Sequence, residues 1–128
     1  ELVHEMFIVH PYKAYVRPHR HINKIESMLI LKGEADYVIF KNDGRLEHSI
    51  QMGDLRSGKP FYNSLRVATY HTILIRSKWL VFLEITNGPF NRKDTEFAKW
   101  SPEEIDSMSV KAYLNQLERD LNNGSLYT

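Results

Sequence analysis

The 128-residue chain contains no cysteine. That removes disulfides, thiolate nucleophiles and thiolate zinc sites together, and leaves histidine and carboxylate as the side chains a metal site would have to use. Long apolar runs are missing as well: no stretch approaches the roughly 20 residues of a membrane-spanning helix. Charge of one sign is also lacking. Seventeen Lys and Arg stand against sixteen Asp and Glu, a formal net charge of +1, which gives no global pull toward nucleic acid or a membrane surface. The six glycines form no phosphate-cradling loop. There is no internal repeat, no low-complexity stretch and no secretory signal pattern, so a cytoplasmic location is the default expectation. The chain begins at Glu1 rather than Met, which leaves open what precedes it in the native protein.

What is present is enough apolar residue, 42%, for the core of one domain. Short β-rich runs are separated by Gly, Asp and Asn turns at regular spacing, which argues a β-sandwich or barrel. Met6–Val9 reads as an edge strand or an oligomer contact. Ile25–Leu31 and Ala35–Lys41 are strands, and Asn42-Asp43-Gly44 is a hairpin signal. Leu55–Leu65 reads as irregular, with Phe61, Tyr62 and Leu65 covering the core. Arg66–Arg76 and Trp79–Thr86 read as two strands around Ser77-Lys78. The character changes at Ser101-Pro102-Glu103-Glu104, which predicts a helix start with Ser101 as the cap. A second helix is expected over Val110–Leu121, with Val110, Leu114, Leu117 and Leu121 as its apolar stripe. Residues 1–100 are thus read as the β-domain. Residues 101–128 are read as a helical tail packed on it or on a second subunit.

The most informative stretch is Arg17–Gly33. His19 and His21 stand two apart, so on a strand their side chains share a face with Cα atoms roughly 6–7 Å apart. A turn over Ile22–Ile25 would start the return strand at Glu26, and Gly33 would permit the next sharp turn. Two imidazoles and a carboxylate at this spacing can converge on one ion, and His71, in Thr69-Tyr70-His71-Thr72, is the candidate third imidazole. The bland alternative is a pair of exposed histidines in a basic loop with Arg17, Arg20 and Lys24. His4 and His10 are lone histidines outside the paired site, and His48, in a return strand, is read as solvated.

His19-x-His21-x4-Glu26-x6-Gly33 resembles the first cupin motif in every spacing. The second cupin motif is worn: Arg66-Val67-Ala68-Thr69-Tyr70-His71 keeps only the histidine, and Ile75 stands where Asn is common. Tyr15–His21, Tyr70-His71-Thr72 and the run from Phe82 to Trp100, extended to Glu104, are similar to the WbuC-type cupin metalloproteins found with bacterial O-antigen gene clusters. The resemblance covers roughly Tyr12 to Glu104. It implies a mainly β, single-domain cupin (jelly-roll) β-barrel and one divalent metal at His19, His21, Glu26 and His71.

Such a site accepts Zn, Mn, Fe or Ni, and a six-coordinate ion would keep two open positions for Lewis-acid chemistry. Arg17 shares the parity of His19, so it is expected to face inward, to a ligand anion or to Glu26 or Glu84. Tyr15 and Tyr37 join Arg17 as candidate substrate-binding residues. Tyr70, Arg17 and Glu84 are the catalytic candidates. Burial alone favours Glu84 facing outward, because Val81, Leu83 and Ile85 are the greasier set of its strand. The open-site chemistry, together with the polysaccharide context that the resemblance implies, leads to the expectation of an isomerase- or epimerase-like enzyme acting on a sugar or sugar derivative in surface polysaccharide biosynthesis, and a homodimer is expected. Two alternatives are an iron-dependent dioxygenase and a non-catalytic metal- or ligand-binding domain. Nucleic-acid binding has no motif to support it.

Overall fold

The computed structural model describes residues 2–89 and 91–124. Nine strands and one α-helix follow in the order β1 (Val3–Pro11), β2 (His19–His21), β3 (Glu26–Lys32), β4 (Glu34–Phe40), β5 (Leu46–Gly53), β6 (Tyr62–Leu65), β7 (His71–Ile75), β8 (Trp79–Asn87), β9 (Thr95–Phe97) and α1 (Ser107–Asn122). They form two antiparallel sheets, one of order β1-β8-β3-β6 and one of order β5-β4-β7-β2-β9. Among the described residues no strand of one sheet pairs with a strand of the other, so the expected closed barrel is an open sandwich.

The main core lies between the sheets. Met28, Ile30, Tyr37, Met52, Ile73, Leu80 and Phe82 meet there, all nearly inaccessible to solvent. A second cluster lies on the outer face of the five-stranded sheet, where Val38, Phe40, Tyr70 and Ala98 pack against Leu117 of α1, with Leu46, Trp100, Tyr113 and Leu121 around them. Strand β4 serves both clusters, one with each face, which is why Tyr37–Phe40 is apolar at every position. Among the described residues, no helix is long and apolar enough to cross a membrane.

Several local expectations change. Leu55–Leu65 holds a 3₁₀ turn at Leu55–Ser57 and the strand β6, which pairs with β3. Phe61 and Tyr62 are exposed on that edge rather than covering the core. Residues 66–70 form a loop before the shorter β7. No helix starts at Ser101. Its hydroxyl is committed elsewhere, donating to the Ala98 carbonyl at 2.6 Å and accepting from Arg17 Nε at 3.0 Å, so it cannot cap. Asp106 caps the single helix instead, its carboxylate accepting from the Ser109 N–H and hydroxyl. Ile105 and Met108, beside this helix start, are 89% and 85% exposed. Residues 125–128 of the expected tail lie outside the described residues.

Candidate metal centre

Backbone pairing brings the four donors together. β2 runs between β7 and β9, and His19 is directly opposite His71 in the antiparallel register. Directly opposed residues point to the same face, so the two imidazoles meet, with ring centroids 4.5 Å apart. His21, two residues along, falls on that face as well, 4.9 Å from the His19 ring and 5.5 Å from the His71 ring. The chain then turns through Asn23, which has a left-handed φ of 58°, a conformation Asn tolerates better than most residues. Lys24 Nζ secures the turn by donating to the carbonyls of Asn87 and Pro89 at 2.8 and 2.7 Å. Glu26 opens β3 in the opposite sheet and faces the three histidines. One donor atom from each of His19, His21, Glu26 and His71 lies within 4.8 Å of the others. Ligands about 2.1 Å from a shared ion would stand about 3–4.2 Å apart.

The outward side of each ring is anchored. His19 Nδ1 donates to the Arg17 carbonyl at 2.8 Å and His71 Nδ1 to the Thr69 carbonyl at 2.9 Å. A carbonyl only accepts, so each Nδ1 carries the proton and each Nε2 offers a lone pair to the site. His21 Nδ1 lies 3.2 Å from the Thr95 hydroxyl, which can accept from it in the same way. Inside, His21 Nε2, His71 Nε2 and Glu26 Oε2 are buried and none has a hydrogen-bond partner. Glu26 Oε2 touches His21 Nε2 without hydrogen-bond alignment and lies 3.6 Å from His71 Nε2. Buried polar atoms left unpaired are costly, and several lone pairs aimed at one point are what a cation satisfies. The residues present therefore fit a divalent ion with nitrogen and oxygen ligands.

Electrostatics agree. Burial, followed by the neighbouring His71, lowers His19 to about 4, keeping it in the neutral form that ligation requires. Burial pushes the Glu26 carboxyl up, but the close imidazoles of His21 and His71 and the Glu84 carboxyl outweigh it and hold Glu26 well below its ordinary value. Glu84 takes the other half of that pair. Burial first, and then Glu26, push it up to about 9.

The donors line a cavity of about 180 Å³ between the sheets, with Ile8, Val16, Met28, Ile73 and Phe82 among its walls. A larger depression of about 1160 Å³ lies between β5 and the end of α1, but it holds none of the four donors, so the chemistry belongs to the smaller one. Glu84 lines the cavity, opposite to the expectation from burial. Phe82, on the same parity, is needed in the core, and Glu84 is turned inward with it. Tyr37 lines it too, its ring stacked on His71 at 5.6 Å and 9°. Burial, with the charges of Glu26 and Glu84, raises its phenol above the ordinary range.

The other sequence candidates are elsewhere. Arg17 does not reach the cavity. Its guanidinium bonds Ser101 and the Ala98 carbonyl and lies 5.1 Å from the Phe97 ring. Tyr15 donates to the Pro102 carbonyl at 2.7 Å. Both pin the connector to α1, because the chain leaving β9 passes beside them. Tyr70 is buried in the outer cluster, its hydroxyl toward Glu96 and Arg20 over its ring. Sequence reasoning missed His10, which lines the cavity, and Thr95. Only the pairing of distant strands reveals the position of either residue.

The architecture is of the cupin type, and comparison with solved structures agrees. Oxalate decarboxylase of Bacillus subtilis, a protein with Mn(II) centres, matches with a TM-score of 0.61 at 18% identity, covering 76% of this chain and 24% of that one. dTDP-4-dehydrorhamnose 3,5-epimerase from Elizabethkingia anophelis NUHP1 matches with a TM-score of 0.61 at 12% identity, covering 78% of this chain and 57% of that one. CapF, solved with the inhibitor 3-isopropenyl-tropolone, matches with a TM-score of 0.58 at 18% identity over 73% of this chain and 27% of that one. At such identities the likeness is one of fold, and the chain spans only about a quarter of the oxalate decarboxylase. A family model described as a domain of unknown function (DUF6016) matches residues 1–52, a span that contains His19, His21 and Glu26. No curated protein matches the chain.

Proposed function

We propose that the protein holds one divalent metal ion through Nε2 of His19, His21 and His71 and the carboxylate of Glu26. Its reaction is isomerase- or epimerase-like, at the carbonyl of a small molecule. The observation that carries this reading is the set of three tethered imidazoles and one carboxylate, with three of their inward atoms buried and unpaired. When bound, the ion supplies a Lewis acid for a carbonyl oxygen. The chain's own residues do the rest. The Arg17 and Thr69 carbonyls fix the orientation of two rings, the apolar walls exclude water, and Glu84 and Tyr37 stand beside the donors as groups able to donate or receive a proton. Arg17, Tyr15 and Tyr70 drop out as candidates for contact with substrate.

The similarity to WbuC-type cupins supports a carbohydrate derivative of bacterial O-antigen biosynthesis as the source of that molecule, and the fold shared with a dehydrorhamnose epimerase is consistent with it. The apolar walls add that the portion inside the cavity carries few free hydroxyls. The test is elemental analysis of the purified protein beside His19→Ala/His21→Ala. About one ion per chain, lost in the variant, is expected. No ion in the parent after incubation with Zn, Mn and Fe salts would overturn the reading.

A further inference from the structure

We propose that Tyr37 is a positioning residue. Its ring, rather than its hydroxyl, holds the His71 imidazole in the plane from which Nε2 faces the other donors. This rests on the metal reading above.

His71 needs a second hold. It is the first residue of β7, so the chain before it is the loop 66–70. Its Nδ1 bond runs to the carbonyl of Thr69 in that same loop, and the loop contains no proline to fix its path. A hydrogen bond at one ring nitrogen accepts a broad range of directions at the carbonyl, so it leaves the plane of the ring free to tilt.

Tyr37 supplies the hold from a rigid part of the fold. Strand β4 lies between β5 and β7, and Tyr37 pairs with Ile73 of β7. His71, two residues before Ile73, is therefore the diagonal neighbour of Tyr37 on the inner face, within reach of an aromatic side chain. The two rings stack with centroids 5.6 Å apart and planes 9° apart, the offset parallel arrangement that aromatic pairs favour. The ring contacts of the imidazoles with one another and with Phe97 are all tilted, by 49–77°. Tyr37 cannot swing away. It is only 2% exposed and belongs to the main core with Met52 and Ile73, and the Asn63 side chain of β6, on the facing sheet, approaches its hydroxyl. The plane of His71 is thus set from the core, while the loop sets the direction of one nitrogen.

The experiment loads the parent and four variants with Co(II), a spectroscopic probe of divalent sites. Affinity is read by competition against a chromophoric chelator, and the visible bands are recorded at saturation. Tyr37→Phe keeps the ring and is expected to match the parent in both. Tyr37→Leu and Tyr37→Met keep apolar volume without a flat ring. They are expected to bind Co(II) about 10–100-fold more weakly, with shifted bands. Ile75→Ala truncates the same core away from the cavity. It should lower the melting temperature of the metal-free protein and leave affinity and bands at the parent's values. Parent-like binding in both ring-less variants, an equal loss in Tyr37→Phe, or an equal loss in Ile75→Ala would each overturn this inference and leave the metal reading standing. A parent protein that takes up no Co(II) would overturn both.

Discussion

The Glu84 carboxyl is pushed up to about 9 from an ordinary 4.5, first by burial and then by Glu26 beside it. In the unfolded chain this group releases its proton near 4.5, while the folded protein keeps it until about 9. Between those values the unfolded state binds fewer protons, so this group makes the metal-free protein less stable as pH rises across the window. His19, lowered to about 4 from 6.5, has the opposite sign: its contribution is lost as pH falls from 6.5 toward 4. Melting the metal-free Glu84→Gln variant beside the parent at several pH values separates the two. The variant is expected to gain on the parent steadily from pH 5 to pH 8, and parallel curves would contradict the assigned burial. The alternation in Trp79–Thr86 was legible, but not which set faces inward. Val81, Leu83 and Ile85 are greasier than Phe82, Glu84 and Thr86, yet the sheet has apolar residues on both faces, so hydrophobicity could not choose. His19, His21 and Glu26 were legible because one turn of chain holds them, and their spacing alone constrains where they meet.

Elements of only a few residues carry much of the site. β9 has three, too few for alternation to reveal a strand, yet it sets Thr95 beside His21 and Phe97 beside His19. Its partner β2 lies more than seventy positions earlier, so no local pattern connects them. What signal existed was the resemblance across Phe82–Trp100. Phe90 of that run lies outside the described residues. The role of β9 predicts that Thr95→Val, which removes the hydroxyl near His21 Nδ1 and keeps the shape, lowers metal affinity by about tenfold with little change in fold. Competition against a chromophoric chelator measures this, and unchanged affinity would mean that His21 needs no such anchor. The helix boundary failed for a comparable reason. Ser101-Pro102-Glu103-Glu104 has the local chemistry of a helix start, but Arg17 and the Ala98 carbonyl claim Ser101, and tertiary contacts outrank the local preference.

At the scale of the whole molecule, the outer face of the four-stranded sheet is apolar. The register lines up Phe7, Leu83, Leu29 and Tyr62 in one row across all four strands, with Phe7 74% and Tyr62 54% exposed. Val9 beside Val81 and Pro11 beside Trp79 extend it. Strand lengths and spacings give a footprint on the order of 450 Å², within the range of the largest patch on a typical monomer, which is often functional. We propose that a second copy covers it, forming a homodimer. Light scattering should give twice the chain mass for the parent and the single-chain mass for Phe7→Asp; a monomeric parent would remove this reading. The two layers meet chiefly through side chains, since among the described residues no strand is shared between them. His19, His21 and His71 belong to one layer and Glu26 to the other, so a single ion held by all four would fasten the layers together. In a chain without cysteine, that ion would serve as a rivet. Holding the fold shut and preparing the reaction would then be one task, and a chelator would act on this protein as a reductant acts on a disulfide-bonded one.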